Sequence, residues 1–263
     1  LEQGKNLAGT QDVEISPVME AYSNWSAAEY LSQYYAGPIL SQDVVAQVRF
    51  TRDHLKGRSF RTALDYGCGP CLYAALALVP YVDHLDLADY LPENLEAIQA
   101  WLERRNGAHD WRYVTRYLLA NESEPADQVD MRQDALRAKV RNLIQSDIRD
   151  RSKVAALPVY DLITSFFCLE GIGASRDEWC SFLSLLGSKV ETGGSLLLAT
   201  LRESTGYKVF DQFFPATYVN EHDLLDALVA AGFPEEGIHI EVEMMDDWTE
   251  QGFSGICLAH AER

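Results

Sequence analysis

Long apolar runs are missing from this 263-residue chain, and so is any excess of basic residues. The longest hydrophobic stretches, such as Leu196 to Ala199, are strand-length, far short of the roughly 20 residues a membrane-spanning helix requires. The first twenty residues, LEQGKNLAGTQDVEISPVME, lack the basic start and apolar run of a secretory signal. Lysine and arginine number 22 against 40 aspartates and glutamates, a net charge of −18. So acidic a surface repels phosphate backbones and anionic lipid heads, which argues against nucleic-acid and membrane partners. It favours cationic ligands such as protonated amines, although solubility is the plainer reason for it. Cysteine is scarce and odd in number: Cys68, Cys71, Cys168, Cys180 and Cys257. Such a set reads as reduced thiols in a cytoplasmic protein. Cys68 and Cys71 form a C-x-x-C with no second pair or nearby histidine, so no metal centre is expected.

Hydrophobic residues at 47% and aromatics at 11% are ample for a core, and the length fits one α/β domain spanning 1–263. Residues 1 to about 20 show no period and read as a loose cover. An aromatic block follows, Tyr22 to Trp25, then a short helix capped by Ser26 and carrying Tyr30, Leu31, Tyr34 and Tyr35. Val44, Val45, Val48 and Leu55 predict a helix over 41–56. Strand, glycine turn, helix and strand then succeed one another from Arg61 to Asp89, the βαβ unit of a parallel sheet. A helix from Glu93, with Pro92 at its start, follows. Residues 106–145 hold more helix than a simple sheet needs and read as a helical insertion, with a third strand ending near Ile144–Asp147. Tyr160–Cys168 and Ser195–Thr200 are further strands, with a turn at Thr192–Gly194 before the second. A helix capped by Asn220 and two closing strands, Ile238–Met244 and Gly255–His260, complete the chain.

In an open parallel sheet, ligands bind beyond the carboxyl ends of the strands. The turn after Asp65, Asp89 and Asp147 all fall at such ends. Gly67 and Gly69 let backbone approach a ligand closely. Asp89 lies twenty residues past Gly69, where an acidic group meets ribose hydroxyls. A dinucleotide fingerprint would need glycine or alanine where Leu72 stands, and Pro70 removes an amide that a pyrophosphate would use. The turn suits a nucleoside with an amino-acid tail better than NAD.

Six pieces in order carry a resemblance: Glu29-Tyr-Leu-x-x-Tyr-Tyr35, Leu64-Asp-Tyr-Gly-Cys-Gly-Pro-x-x-Tyr73, Asp89-Tyr-x-x-x-Asn94, Ser146-Asp147, Phe167-Cys-Leu-Glu170 and Leu201-x-Glu-Ser204. From about Trp25 onward the chain resembles, as a divergent member, the family of nicotinamide, phenylethanolamine and indolethylamine N-methyltransferases and the thioether S-methyltransferase. The resemblance implies a Rossmann-like class I methyltransferase: a mostly parallel seven-stranded sheet with helices on both faces, an N-terminal helical lid over 1–56 and a core over 57–263. It implies S-adenosylmethionine as cofactor, a small-molecule amine as substrate, and a monomer. For the cofactor it implies Tyr30 and Tyr35 in the lid, Gly67, Gly69 and Tyr73 at the methionine part, and Asp89, Tyr90 and Asn94 at the ribose. Asp147 and Ile148 would meet the adenine. Tyr34 is expected to pack rather than bind. For the acceptor it implies Glu170 and Asp211 as catalytic carboxylates, with Thr200, Tyr207 and Gln251 beside the substrate. Thr200 stands where nicotinamide-type members carry aspartate, which argues against nicotinamide itself.

Carboxylates near an amine favour its ammonium form, which has no lone pair, so one of them must also accept a proton. A thioether acceptor would need no such base. The sequence leaves amine and thioether open, with a non-catalytic nucleoside-binding protein as the reading from another class.

Overall fold

The computed structural model describes residues 20–245, 250, 252–253 and 255–263. The expectations for residues 1–19 and for Gln251 therefore lie outside the described residues. The described elements include a 3-10 turn over Tyr22–Asn24, followed by helices α1 (Ala27–Tyr35) and α2 (Gln42–Leu55). Ser26 Oγ accepts the Glu29 N–H and caps α1. The remaining elements run β1 (Phe60–Tyr66), α3 (Tyr73–Leu78), β2 (Val82–Asp89), α4 (Pro92–Leu102), α5 (Arg112–Asn121), α6 (Val129–Lys139), β3 (Val140–Gln145), α7 (Arg151–Ala156), β4 (Tyr160–Phe166), α8 (Arg176–Gly187), β5 (Val190–Leu201), β6 (Gly206–Val209), β7 (Gln212–Pro215), α9 (Glu221–Ala230), β8 (Ile238–Met244) and β9 (Gly255–Glu262).

Seven strands form one sheet in the order β3-β2-β1-β4-β5-β9-β8. The first five pair in parallel, and β9 joins β5 and β8 antiparallel. This is the expected mostly parallel Rossmann-like sheet. Alternation along each strand divides the core between its two faces. Leu197 and Ala199 pack with Leu76, Trp111 and Phe50 on one face. Leu196 and Leu198 pack with Trp179, Leu183 and Leu228 on the other. Trp111 and Trp179 are each 1% exposed, and truncating either to alanine would cost about 3–5 kcal/mol.

Helix α2 buries Val44, Val48, Phe50 and Leu55 in the first of these cores, so it is a layer of the body as much as a lid. The 106–145 region supplies α5 and α6 as expected, but its last residues are β3, the edge strand itself. Three elements escaped the sequence reading. Helix α7 lies where no helix was expected, and β6 and β7 form a separate hairpin. The glycines at 193–194 make no turn outside the sheet. They lie within β5, where its register against β4 shifts between Tyr160 and Leu162. The cap at Asn220 is a full capping box with Asp223.

Candidate active site

Strand order reverses between β1 and β4, and a cleft opens beyond the carboxyl ends of β1, β2 and β4. It encloses about 780 Å³, counted to its open mouth. The turn after β1 lines it, with Gly67 at φ +72° and Gly69 at φ +59°. A Cβ on Gly67 would stand 2.1 Å from Cys168 Sγ, so both backbone and space demand glycine there. At Gly69 a Cβ would meet nothing within 4 Å, and only its left-handed backbone calls for glycine.

Asp89 ends β2 and is 7% exposed. Its Oδ2 accepts the Gly69 N–H at 2.8 Å, and its Oδ1 accepts the Leu91 N–H and the Asn94 Nδ2–H, both at 2.9 Å. Burial pushes this carboxyl above its usual range, and the three donors pull it back. Asn94 Oδ1 in turn accepts the indole N–H of Trp25 at 2.8 Å. One hydrogen-bonded chain thus joins the N-terminal segment, the start of α4 and the end of β2.

Aromatic side chains form most of the walls: Tyr22, Trp25, Tyr30, Tyr66, Tyr73, Tyr90, Phe166, Phe167 and Tyr207. Among the described residues, no lysine or arginine lines the cleft. Tyr22 packs on Phe214 at 5.2 Å between ring centres and shares a hydrogen bond with Tyr207 across hydroxyls 3.3 Å apart. Trp25 packs on Tyr30 at 4.9 Å. Burial pushes the hydroxyls of Tyr30 and Tyr207 up, so both stay neutral. Phe167 takes φ +53°, a left-handed turn for a residue with a Cβ, which costs about 1–2 kcal/mol. Its N–H donates to Ala199 O at 2.8 Å, which fixes the turn.

Of the expected site residues, Tyr30, Gly67, Gly69, Tyr73, Asp89, Tyr90, Asn94 and Tyr207 meet at this cleft. Tyr35 does not. It is buried between Tyr73 (5.8 Å, stacked) and Trp111 (5.3 Å), a core position with one edge on a neighbouring cavity. The Tyr73 hydroxyl donates to Gln47 Oε1 at 2.8 Å. Asp147 lies at the edge of the site, its carboxylate held by Arg149 at 2.7 Å, and Ile148 is buried in the second core. The Arg149 guanidinium lies 5.3 Å from the centre of the Tyr90 ring. Tyr34 packs on Tyr30 at 4.9 Å and donates its hydroxyl to Lys208 O at 2.6 Å, tethering α1 to the β6–β7 hairpin.

The acceptor-side expectations fare differently. Glu170 is 2% exposed and turned away from the cleft; its Oε1 accepts the Leu201 N–H at 2.9 Å. It borders a separate small cavity with Ser165 and Thr200. Burial pushes its carboxyl up to about 7. Thr200 is buried beside it, with its hydroxyl outside hydrogen-bonding geometry to any partner among the described residues. Asp211 is exposed in the turn between β6 and β7. Neither Glu170, Thr200 nor Asp211 lines the cleft, because strand direction and hairpin geometry carry them elsewhere. Tyr22, Trp25, Tyr66, Leu91, Ser146 and Cys168 line it without having been singled out as binding residues. The signals available were the clustering of aromatics at Tyr22–Trp25 and, for Tyr66, Ser146 and Cys168, their places inside the resemblance's own motifs. Burial pushes the Cys68, Cys71 and Cys168 thiols up, away from thiolate chemistry. At the amino end of the parallel strands, His54, His239 and Glu241 bring three possible ligand atoms within 4.8 Å of one another.

The NNMT/PNMT/TEMT family model matches residues 14–263. The chain belongs to that family. Among its relatives, the indolethylamine N-methyltransferase of Mus musculus is 24% identical, over 88% of this chain and 87% of the other. The phenylethanolamine N-methyltransferase of Sus scrofa is 25% identical, over 87% and 84%. The fold is that of a solved DhpI–SAM–HEP complex, with a TM-score of 0.53 and 14% identity across 94% of this chain and 98% of that one. As a member of the NNMT/PNMT/TEMT family the protein is an S-adenosylmethionine-dependent methyltransferase, which sets aside the non-catalytic reading. The cleft fits the cofactor. A buried carboxylate faces it at Asp89, glycine backbone lines it at Gly69, and aromatic walls without a cation suit a sulfonium.

Proposed function

We propose that the protein methylates the nitrogen of a small-molecule amine. The observation that carries this reading is a second aromatic cavity, which shares Tyr30, Phe167 and Tyr207 with the cofactor cleft. That shared wall is where an acceptor would meet a methyl donor. The names of the family's relatives support amine acceptors.

S-adenosylmethionine supplies an activated methyl group on a positively charged sulfur. The residues of this chain have the tasks of binding, orientation and exclusion of water. Asp89 would accept a ribose hydroxyl on Oδ2, which gives only one lone pair to Gly69, while Leu91 and Asn94 occupy Oδ1. Asn94 fixes that carboxylate and is itself fixed by Trp25. Gly67 and Gly69 give backbone access, and Tyr73 meets the methionine carboxylate by turning its hydroxyl from Gln47. Asp147, next in sequence to cleft-lining Ser146 and paired with Arg149, would hold the adenine amino group. Tyr22, Trp25, Tyr30 and Tyr207 close over the site and keep water out. Their faces tolerate the positive charge that passes from sulfur to nitrogen; each contact contributes roughly 0.5–2 kcal/mol. A neutral amine held in line would form its N–C bond as the S–C bond breaks with its electron pair left on sulfur, and the surplus proton would leave the product ammonium once the site reopens to water.

One observation favours a second reading. Asp89 is the only carboxylate lining the cleft among the described residues, and it is engaged by three donors. A thioether acceptor needs no base, so a cleft without a free carboxylate suits it as well. Incubating the protein with methyl-labelled S-adenosylmethionine and a panel of amines and thioethers tests both. Label on amines alone supports the first reading; label on thioethers alone replaces it with the second.

A further inference from the structure

The second cavity is bordered by a buried carboxylate with one oxygen left unpartnered among the described residues. Asp43, near the start of α2, borders it together with Tyr30, Tyr34, Phe167, Tyr207 and Phe253. Its Oδ1 is closed to solvent and has no hydrogen-bond partner among the described residues. Among the described residues, no lysine or arginine borders the cavity. A buried carboxylate oxygen without a donor is costly, and folded proteins almost always supply one. The start of a helix favours the ionised form through its exposed amides. Burial pushes the Asp43 carboxyl up, while Ser41 and the first amides of α2 pull it back. Aromatic faces around an anion make a cage whose natural occupant is an organic cation: the rings attract it through their π faces and the carboxylate through charge.

We propose that Asp43 anchors a second, protonated nitrogen of the acceptor, so that the preferred substrate is a compact molecule with two basic nitrogens. One nitrogen, neutral, faces the cofactor cleft at Tyr30, Phe167 and Tyr207. The other sits as a cation on Asp43 Oδ1. The methyl-transfer part of this assignment rests on the amine reading above; the binding part does not.

Calorimetry on the protein saturated with S-adenosylhomocysteine tests it, using p-xylylenediamine and its near-isostere p-methylbenzylamine. The diamine is expected to bind more tightly by on the order of tenfold or more. Asp43→Asn should erase that gap and leave S-adenosylhomocysteine affinity unchanged, and Asp43→Glu should restore part of it. Equal or absent binding of the two amines by the wild type overturns the proposal. So does a gap that survives in Asp43→Asn, or a cofactor affinity that falls in step with it. If Asp43→Asn does not fold, the wild-type gap decides alone. A gap in binding without methylation of any amine would leave Asp43 its role and sink the amine-transfer reading; methylated monoamines without a gap would do the reverse.

Discussion

The cleft proposed for the donor and the cavity proposed for the acceptor draw on the chain in different ways. On the donor side Gly67, Gly69, Asp89 and Asn94 come from one continuous run, β1 to α4. On the acceptor side Tyr30, Asp43, Phe167, Tyr207 and Phe253 come from well-separated segments. A local run places its side chains by strand direction and turn geometry, both of which leave marks in the sequence. A surface gathered from distant segments depends on how helices and a hairpin dock, and leaves few. The donor side should therefore tolerate change least, and the acceptor side should show graded effects.

Substitutions in the glycine turn carry the largest expected effect. Gly67→Ala must accommodate a Cβ 2.1 Å from Cys168 Sγ at a left-handed φ, and should destabilise the fold by about 3 kcal/mol or more. Gly69→Ala pays for the backbone alone, about 1–2 kcal/mol. Urea denaturation of the two variants measures the contrast, and equal losses would mean that Cys168 yields freely.

Glu170 comes next. Its folded carboxyl, at about 7, lies above the unfolded value of 4.5. Its contribution to stability is thus fully present below pH 4.5 and is lost as pH rises to about 7. Glu170→Gln keeps an acceptor for the Leu201 N–H and removes this loss. The variant should gain on the wild type across that window, by roughly 2–3 kcal/mol at its top. Parallel melting curves of the two proteins from pH 4 to 8 would contradict it.

Trp25→Phe keeps a ring in the lid and deletes the N–H that holds Asn94. Loss of one neutral hydrogen bond is worth about 1 kcal/mol, so affinity for S-adenosylhomocysteine should fall severalfold, and Asn94→Ala should make the second change nearly silent. Additive losses would break the proposed chain from Trp25 to Asp89. Asp211→Asn, in an exposed turn, should leave kcat/KM within about twofold, as surface substitutions usually do. A tenfold loss would return Asp211 to the site.

How much the sequence disclosed follows the same division. The sheet, its parallel core and its two closing strands were legible because short apolar runs ended at Asp65, Asp89 and Thr200 and because Asn220 and Ser26 are strong caps. The place of Asp89 and the two glycines at the cleft was legible because each falls at the carboxyl end of a strand, twenty residues apart from turn to acid. Glu170 was expected beside the cleft, but a motif gives only its neighbours in sequence; in the 3-10 turn at Leu169–Gly171 its carboxylate accepts the Leu201 N–H and borders a separate small cavity. Tyr35 looked like Tyr30 in the sequence, yet the helix turns it toward Tyr73 and Trp111. The β6–β7 hairpin gave no signal because its strands are four residues each, too short for alternation to stand out. Asp43 read as an ordinary first-turn acid, and only its enclosure by aromatic rings distinguishes it.

The central claim is that Asp89 holds the sugar of the cofactor in the cleft at the sheet's reversal point. Titrating S-adenosylhomocysteine into the wild type and Asp89→Ala in a calorimeter tests it most directly. Saturable binding at one site per chain, weakened by on the order of a hundredfold in the variant, is the predicted result. Equal heats from the two folded proteins would contradict it.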